Sequence, residues 1–480
     1  MEPAIPGVVW YGYELQQLFP EAGGLVAAEE RFEGLTVDSR RPVPGGIFVA
    51  LRGRSLDAHT KLPEAFAKGA SLALVEQALW RHAPADWQVY RCLPVVSPKR
   101  ALGELARRHR ERFRLPVIAV AGSAGKTTTK ELIAAVLQKR FRVLKTPENE
   151  NNQLGVPLTL LRLGLEHEVA VIELGTNSFG EIARLCQIVQ PTHGVVTALG
   201  EEHLEFFGSL AGVVREETAL VRFLRARNGG VILPAEEALL EPQPGEVTFG
   251  TLPEATVWAE ASVGEEGYPF IRLHYGAEVR SCQLRIPGNA GVRAAVAAAA
   301  VAWMLGLDAD SVVAALSEAV PQSSGHGYGR MALLEFLPGV RVLNDTYNAN
   351  PLSMRVALET LRLLPCRRWR WAVLGDMREL GHATEEAHRR VLEQAQRSAD
   401  VVCVLGQAFA AVAPAYPAVR VFCSHEELAE YLRQRVQAGD VVLLKGSRAL
   451  AMERILQLWR DNRGEHSHAV PSGTLDMENV

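Results

Sequence analysis

A chain of 480 residues is too long for one hydrophobic core, and at roughly 100–200 residues per domain about three are expected. Hydrophobic residues make up 48% and charged residues 22%, which excludes a disordered or fibrous chain, and a net charge of −4 without a basic run excludes an obvious nucleic-acid partner. No signal-peptide pattern is visible, no apolar run reaches the roughly 18 residues of a membrane span, and the six scattered cysteines form no CxxC pair, so a cytoplasmic protein with free thiols and no membrane partner is expected.

In chain order, residues 1–100 read as a small α/β module, with short apolar strands at 46–51 and 72–75 around a helix near 63–68. A new register starts at Leu115. The run 116–121 is a buried strand and 127–140 has helical spacing. Strands at 169–174, 194–199 and 230–233 follow, separated by helical stretches, which argues for parallel βαβ units in a central domain over 101–325. The Ala-rich stretch 294–305 reads as a packed helix. Pro321-Gln-Ser-Ser-Gly-His-Gly-Tyr-Gly329 is the clearest linker. Beyond it, strands at 340–343, 371–374, 400–405, 419–422 and 440–444 alternate with helices, giving a C-terminal domain over 326–460. The polar tail 461–480 is expected to fray. The fold class expected is therefore α/β: a small N-terminal module, a central P-loop-type parallel sheet and a C-terminal doubly wound, Rossmann-like sheet.

The segment Gly122-Ser123-Ala124-Gly125-Lys126-Thr127-Thr128 falls between a strand and a helix. Backbone amides and a helix N-terminus there favour phosphate. Lys126 is placed to reach the β- and γ-phosphates, and Thr127 to offer a hydroxyl to Mg²⁺. The match is to a shorter GxxGK(S/T) form, because Val120 stands where the full P-loop has its first glycine.

Longer strings surround this loop: Asp38-Ser39-Arg40, Asn151-Asn152-Gln-Leu-Gly-Val-Pro157, Ile172-Glu173-Leu-Gly175, His203-Leu-Glu-Phe-Phe-Gly-Ser-Leu210, Asn344-Asp345-Thr-Tyr-Asn-Ala-Asn-Pro351, Gly375-Asp-Met-Arg-Glu-Leu-Gly381 and Lys445-Gly-Ser-Arg448. In this order, from about Asp38 to Glu453, the chain resembles the Mur ligases, the amino-acid ligases of cell-wall precursor synthesis. The resemblance implies an ATP- and Mg²⁺-dependent enzyme that activates a carboxylate as an acyl phosphate. Its partners would be UDP-N-acetylmuramoyl-tripeptide and D-alanyl-D-alanine, and it would act as a monomer. It implies Lys126, His203 and Lys445 in catalysis, with Asn152, Arg330 and Asp345 joining the phosphate loop around the nucleotide. Thr127, Glu173 and His203 would hold metal. Ser39 and Arg40 would meet the uridine diphosphate, and Arg378 and Arg448 the substrates. Asn348 and Asn350 read alternatively as turn residues before Pro351.

Two departures stand out. Where most Mur ligases carry a lysine that becomes a metal-binding carbamate, this chain has Glu217, read either as a direct metal ligand or as a helix-surface charge. Where the family has a His-Asn-Val-x-Asn string beside the nucleotide, this chain has Ala290, Gly291 and Ala294. Two alternatives stay open: another ligase of the superfamily, such as a folylpolyglutamate-synthase-like enzyme, and a non-catalytic nucleotide-binding module.

Overall fold

Strands that are covered on both faces carry unbroken apolar runs, and the central sheet is built on one. All five residues of the strand Val117–Ala121 are buried. Ile118 and Val120 face a core made with the helices Lys126–Leu137 and Gly288–Met304. Val117, Ala119 and Ala121 face the opposite core. The computed structural model describes residues 4–461 except 42, 54–55, 265, 321–326 and 328, and of residue 461 only the backbone. Most of the expected linker and the expected frayed tail lie outside the described residues.

Three sheets are described. The N-terminal one has five strands in chain order. Its first pair, Ala4–Tyr11 and Arg31–Thr36, is antiparallel; the strands Ile47–Val49, Leu72–Glu76 and Cys92–Val95 continue in parallel. The central sheet has nine strands. Seven are parallel, in the order Val257–Val263, Val247–Gly250, Gly230–Pro234, His193–Val196, Val117–Ala121, Val169–Glu173, Val143–Lys145. Two antiparallel strands, Pro269–Tyr275 and Glu278–Gln283, extend it beyond Val257–Val263. This extension was not anticipated, because Pro269–Tyr275 alternates buried and exposed residues and offers no continuous apolar run.

The third sheet has six strands, all parallel except its first, Ala332–Leu337. The last strand in sequence, Val441–Lys445, inserts between Val340–Asp345 and Arg370–Gly375. That register pairs Asp345 with Lys445 at the carboxyl ends of the strands, where open α/β sheets bind ligands.

The expected boundary near residue 100 falls in the helix Pro98–Arg110. The hydrophobic core is continuous across it, joining Leu35, Leu72 and Leu93 to Ala119 and Ile172 through Leu102 and Leu105. The C-terminal sheet is likewise docked on the central one. Leu204, Phe207 and Val213 share a core with Met354, Met377 and Leu380. A Cβ on Gly288 would lie 2.2 Å from the Thr360 hydroxyl, so only glycine allows that approach. Between these two sheets lies a cleft of about 2150 Å³.

Candidate active site

The phosphate loop forms the floor of the cleft. Gly122 has φ +124°, and a Cβ there would meet the Thr197 hydroxyl at 2.4 Å. Gly125, at φ +82°, opens the helix Lys126–Leu137. The loop is pinned from the neighbouring strand end: Ser123 N–H donates to Ala198 O at 2.7 Å, and the Thr197 hydroxyl to Ala124 O at 2.7 Å. The helix N-terminus and its unpaired amides therefore face the cleft.

Acidic side chains surround Lys126. Its Nζ lies 3.8 Å from Glu202 and 3.9 Å from Glu217, and it also donates to Gly122 O. Burial works against its charge, but Glu202, Glu217 and Glu173 outweigh burial and hold its pKa above the ordinary lysine value. Glu202 moves the other way for a carboxylic acid: burial drives its pKa well above the usual range, Lys126 opposes this and Glu217 adds to it. The Thr127 hydroxyl donates to Glu173 Oε1 at 3.0 Å, and Asn151 donates to the same oxygen at 2.9 Å.

Glu217 is fully buried, which removes the reading of it as a surface charge. Its Oε2 accepts from the Gly122 N–H at 2.6 Å, so the side chain touches the phosphate loop itself. One oxygen each of Glu173 and Glu217 is buried without a hydrogen-bond donor. Buried bare carboxylate oxygens fit a hard cation. Among the described residues, however, no three His, Cys, Asp or Glu side chains lie close enough to hold a metal by themselves. The donor set therefore fits Mg²⁺, which keeps one or two carboxylates and takes the rest of its shell from phosphates and water.

His203 adopts φ +47°, its Nδ1 pairs with Glu379, which follows the strand Arg370–Gly375, and its Nε2 lies 4.0 Å from Glu202. The structure thus brings Thr127 to Glu173, and Glu217 to Lys126, but ties His203 to the opposite wall.

Across the cleft, Asp345 and Lys445 are bound to each other at 2.6 Å, and Lys445 also donates to Asn348 O at 2.8 Å. Both are buried. They form a buried pair because the strand register places them side by side. The Arg330 guanidinium carbon lies 3.6 Å from the centre of the Tyr347 ring, and Arg330 lines the cleft. Arg378 lines it as well, and so does Arg448, which pairs with Glu453 at 2.7 Å. Asn152 lines the cleft, but its side-chain oxygen accepts from Leu154 and Gly155 N–H at 2.9 Å each, at the start of the helix Gly155–Leu161. Ser39 and Arg40 are not among the lining residues. Ser39 donates to Glu64 at 2.9 Å, and Arg40 pairs with Asp38 at 2.7 Å.

Three residues were missed. Glu202 precedes His203 in an acidic pair that carried no pattern. Lys130 is fully buried and donates to Thr146 O at 2.7 Å and Glu148 O at 3.0 Å, with Glu173 at 3.8 Å, so it anchors the loop behind Glu173. Asn350 is more than a turn residue: it caps the helix Pro351–Leu363 and donates to Ser123 O at 3.1 Å across the cleft. An Asn before a Pro at the first helical position is a legible cap signal.

The sequence matches the family descriptions "Mur ligase middle domain" over residues 120–302 and "Mur ligase, glutamate ligase domain" over 329–448. It is 33% identical over 457 residues to the UDP-N-acetylmuramoyl-tripeptide–D-alanyl-D-alanine ligase of Escherichia coli K12, covering 92% of this chain and 96% of that one. The corresponding ligase of Treponema pallidum is 34% identical over 447 residues, covering 90% and 95%. Among solved structures, MurF from Acinetobacter baumannii matches with a TM-score of 0.84 and 29% identity, covering 95% of this chain and all of that one. MurF ligase from Thermotoga maritima, in complex with ADP, matches with 0.79 and 27%, covering 88% and 96%. With these matches spanning both sheets around the cleft, the chain belongs to the Mur ligase family, on its MurF branch.

Proposed function

We propose that this chain joins D-alanyl-D-alanine to UDP-N-acetylmuramoyl-tripeptide at the expense of ATP, in cytoplasmic peptidoglycan precursor synthesis. The observation that carries this reading is the meeting of two sheets on one cleft: the Lys126 loop on one wall, Arg330 and the Asp345–Lys445 pair on the other. The ADP-bound relative and the names of the relatives support the nucleotide and the substrates.

The terminal carboxylate of the tripeptide attacks the γ-phosphorus of ATP, and the bond from that phosphorus to the β–γ bridging oxygen breaks, releasing ADP. The dipeptide amine then attacks the acyl carbon. The carbon–oxygen bond to phosphate breaks, and the nitrogen gives up its proton. The loop amides from Gly122 to Thr128 hold the phosphates, and Lys126 neutralises them. Arg330 faces the nucleotide from the other wall. Asp345 accepts from the ribose hydroxyls, and Lys445, once freed, faces the transferred phosphoryl group. Arg378 and Arg448 meet the substrate carboxylates, while Ser39 and Arg40 take the uridine diphosphate on the N-terminal sheet. Thr127, Glu173 and Glu217 would hold Mg²⁺, with His203 at the far end. The ion's charge offsets the repulsion between carboxylate and γ-phosphate.

Glu217 supplies from the sequence the anionic oxygens that most relatives form on a lysine. Two measurements check this: activity unaffected when bicarbonate is stripped from the buffer, and an intact mass equal to that of the bare sequence. A carbamate-dependent loss of activity, or metal affinity unchanged in Glu217→Gln, would sink it. The function itself is tested by phosphate release with ATP, Mg²⁺ and UDP-N-acetylmuramoyl-tripeptide, with and without D-alanyl-D-alanine. Release that requires both substrates is expected. Bound ATP without any release would instead mark a non-catalytic nucleotide module.

A further inference from the structure

The helix Gly288–Met304 turns one face to the cleft. Asn289, Ala290, Arg293, Ala294 and Ala297 line it, at spacings of three and four that place them together on the helix. Arg293 is the only charged side chain of the five and the longest. It is half-buried. Among the described residues its guanidinium makes no hydrogen bond and no ion pair. Two other arginines of the cleft wall are engaged: Arg330 lies over Tyr347, and Arg448 pairs with Glu453.

The same helix packs on the strands Gly230–Pro234 and Val247–Gly250 as well as on the phosphate-loop helix Lys126–Leu137. Arg293 is close enough to Glu236, just past the first of these strands, to act on its charge. Burial raises the Glu236 pKa, but Thr251, the residue's own N–H and Arg293 hold it below the ordinary glutamate value. The strand Gly230–Pro234 is two places along the sheet from Val117–Ala121, which leads into the phosphate loop. At the usual strand spacing the lateral offset is about 10 Å, which puts Arg293 toward the base end of a nucleotide whose phosphates lie on the loop.

The resemblance to the Mur ligases places His and Asn side chains beside the nucleotide where this chain has Ala290, Gly291 and Ala294. Those contacts are gone, and Arg293 is within one turn of all three positions. A guanidinium is planar and weakly hydrated, and it stacks on aromatic faces through both its plane and its charge. The alanines around Arg293 leave room for that plane to lie against a ligand.

We propose that Arg293 is a nucleotide-binding residue of this enzyme, its guanidinium stacked on the face of the base. The inference rests on the reading of the cleft as the nucleotide site. The offset from the loop argues against a phosphate contact, and the lack of an ion-pair partner among the described residues argues against a structural salt bridge.

The test titrates ADP with Mg²⁺ by calorimetry into the wild type and two variants. Arg293→Ala should weaken ADP by about 5- to 30-fold, the range of a cation–π contact from exposed to desolvated settings. The thermal melt of the unliganded variant should barely move, because Arg293 makes no hydrogen bond or ion pair in the fold. Arg293→Tyr removes the charge but keeps a flat face, and base–aromatic stacking is of similar size, so ADP should return to within about threefold of wild type. A contact to ribose or phosphate would leave Arg293→Tyr as weak as Arg293→Ala. Equal weakness of the two variants, or an Arg293→Ala protein that binds ADP within about twofold of wild type, overturns the proposal while leaving the nucleotide site intact. No binding of ADP to the wild type overturns both.

Discussion

Asn350→Asp isolates the hydrogen bond that ties the two walls of the cleft together. Asn350 has two duties. Its Oδ1 accepts from Ser353 N–H at 2.8 Å and caps the helix Pro351–Leu363; its Nδ2 donates to Ser123 O at 3.1 Å on the phosphate loop. Aspartate caps a helix as well as asparagine does, so the first duty survives. The second is lost, at about 1 kcal/mol. A carboxylate now faces the loop that receives phosphate. At roughly 8 Å and an effective dielectric of about 20, one like-charge pair costs about 2 kcal/mol. The sum, about 3 kcal/mol, corresponds to ADP binding weakened by about 100-fold. Calorimetric titration of ADP with Mg²⁺ measures this, and a thermal melt of the unliganded protein should fall only slightly, by the one hydrogen bond lost. Asn350→Ala behaves differently: it loses the cap, so the melt falls, but it adds no charge and weakens ADP by only about fivefold. An Asn350→Asp protein that binds ADP within threefold of wild type, or more tightly than Asn350→Ala, would refute the reasoning.

Two further outcomes follow from buried charge. Lys130→Met removes a fully buried ammonium that serves Glu131, Glu173 and two carbonyls, leaving Glu131 with Lys145 and Glu173 with Thr127 and Asn151, so urea unfolding should show a loss of about 3 kcal/mol; a loss under about 1 kcal/mol would contradict the buried-pair account. Burial pushes the His109 imidazole down to about 4 from 6.5, against the raising effect of its hydrogen bond to Leu163 O at 2.9 Å. The unfolded chain takes its proton first. Stability should therefore decline as pH falls from about 6.5 and level off below about 4, by about 3 kcal/mol in all. His109→Gln should lose that part of the pH dependence, and an unchanged profile would assign it elsewhere.

How far the fold was legible depends on how each strand is covered. A strand packed on both faces is an unbroken apolar run, and the run expected at 169–174 is observed as Val169–Glu173. The helix expected at 127–140 is observed as Lys126–Leu137, opened by the Gly125 turn. Strands with one face in solvent escaped. Pro269–Tyr275 shows its buried residues singly, separated by exposed or half-buried ones, and Ala4–Tyr11 is interrupted by the exposed Pro6 and Gly7, so a search for continuous runs passes over both. The shared core between the N-terminal and central sheets was also invisible, since it arises from the helix Pro98–Arg110 packing on both, and periodicity names a buried face without naming its partner.

The site follows the same logic. The loop pattern marked Lys126 and Thr127, and the family resemblance added Glu173, whose carboxylate accepts from the Thr127 hydroxyl. The resemblance gave Asp345 and Lys445 separate ligand contacts; strand insertion also makes them each other's partners. A buried ion pair is costly to break one-sidedly. A nucleotide that engages both must therefore substitute for each: ribose hydroxyls donating to Asp345, and phosphoryl oxygens accepting from Lys445. Neither exchange is favourable alone, so the nucleotide must arrive with ribose and phosphate placed together. The same reasoning explains Glu217. As a single residue at the end of the helix Leu210–Glu217 it looked ambiguous. Beside Glu216, which accepts from the Gly180 and Ile182 N–H groups at 2.7 Å each, it belongs to a helix end driven into the core. Two successive buried acids need two sets of donors. Glu216 finds its set in backbone amides; Glu217 has the Gly122 N–H for one oxygen and leaves the other bare beside Lys126. That residual demand for positive charge, next to the Gly122–Thr128 loop, is the physical reason for proposing Glu217 as a metal ligand.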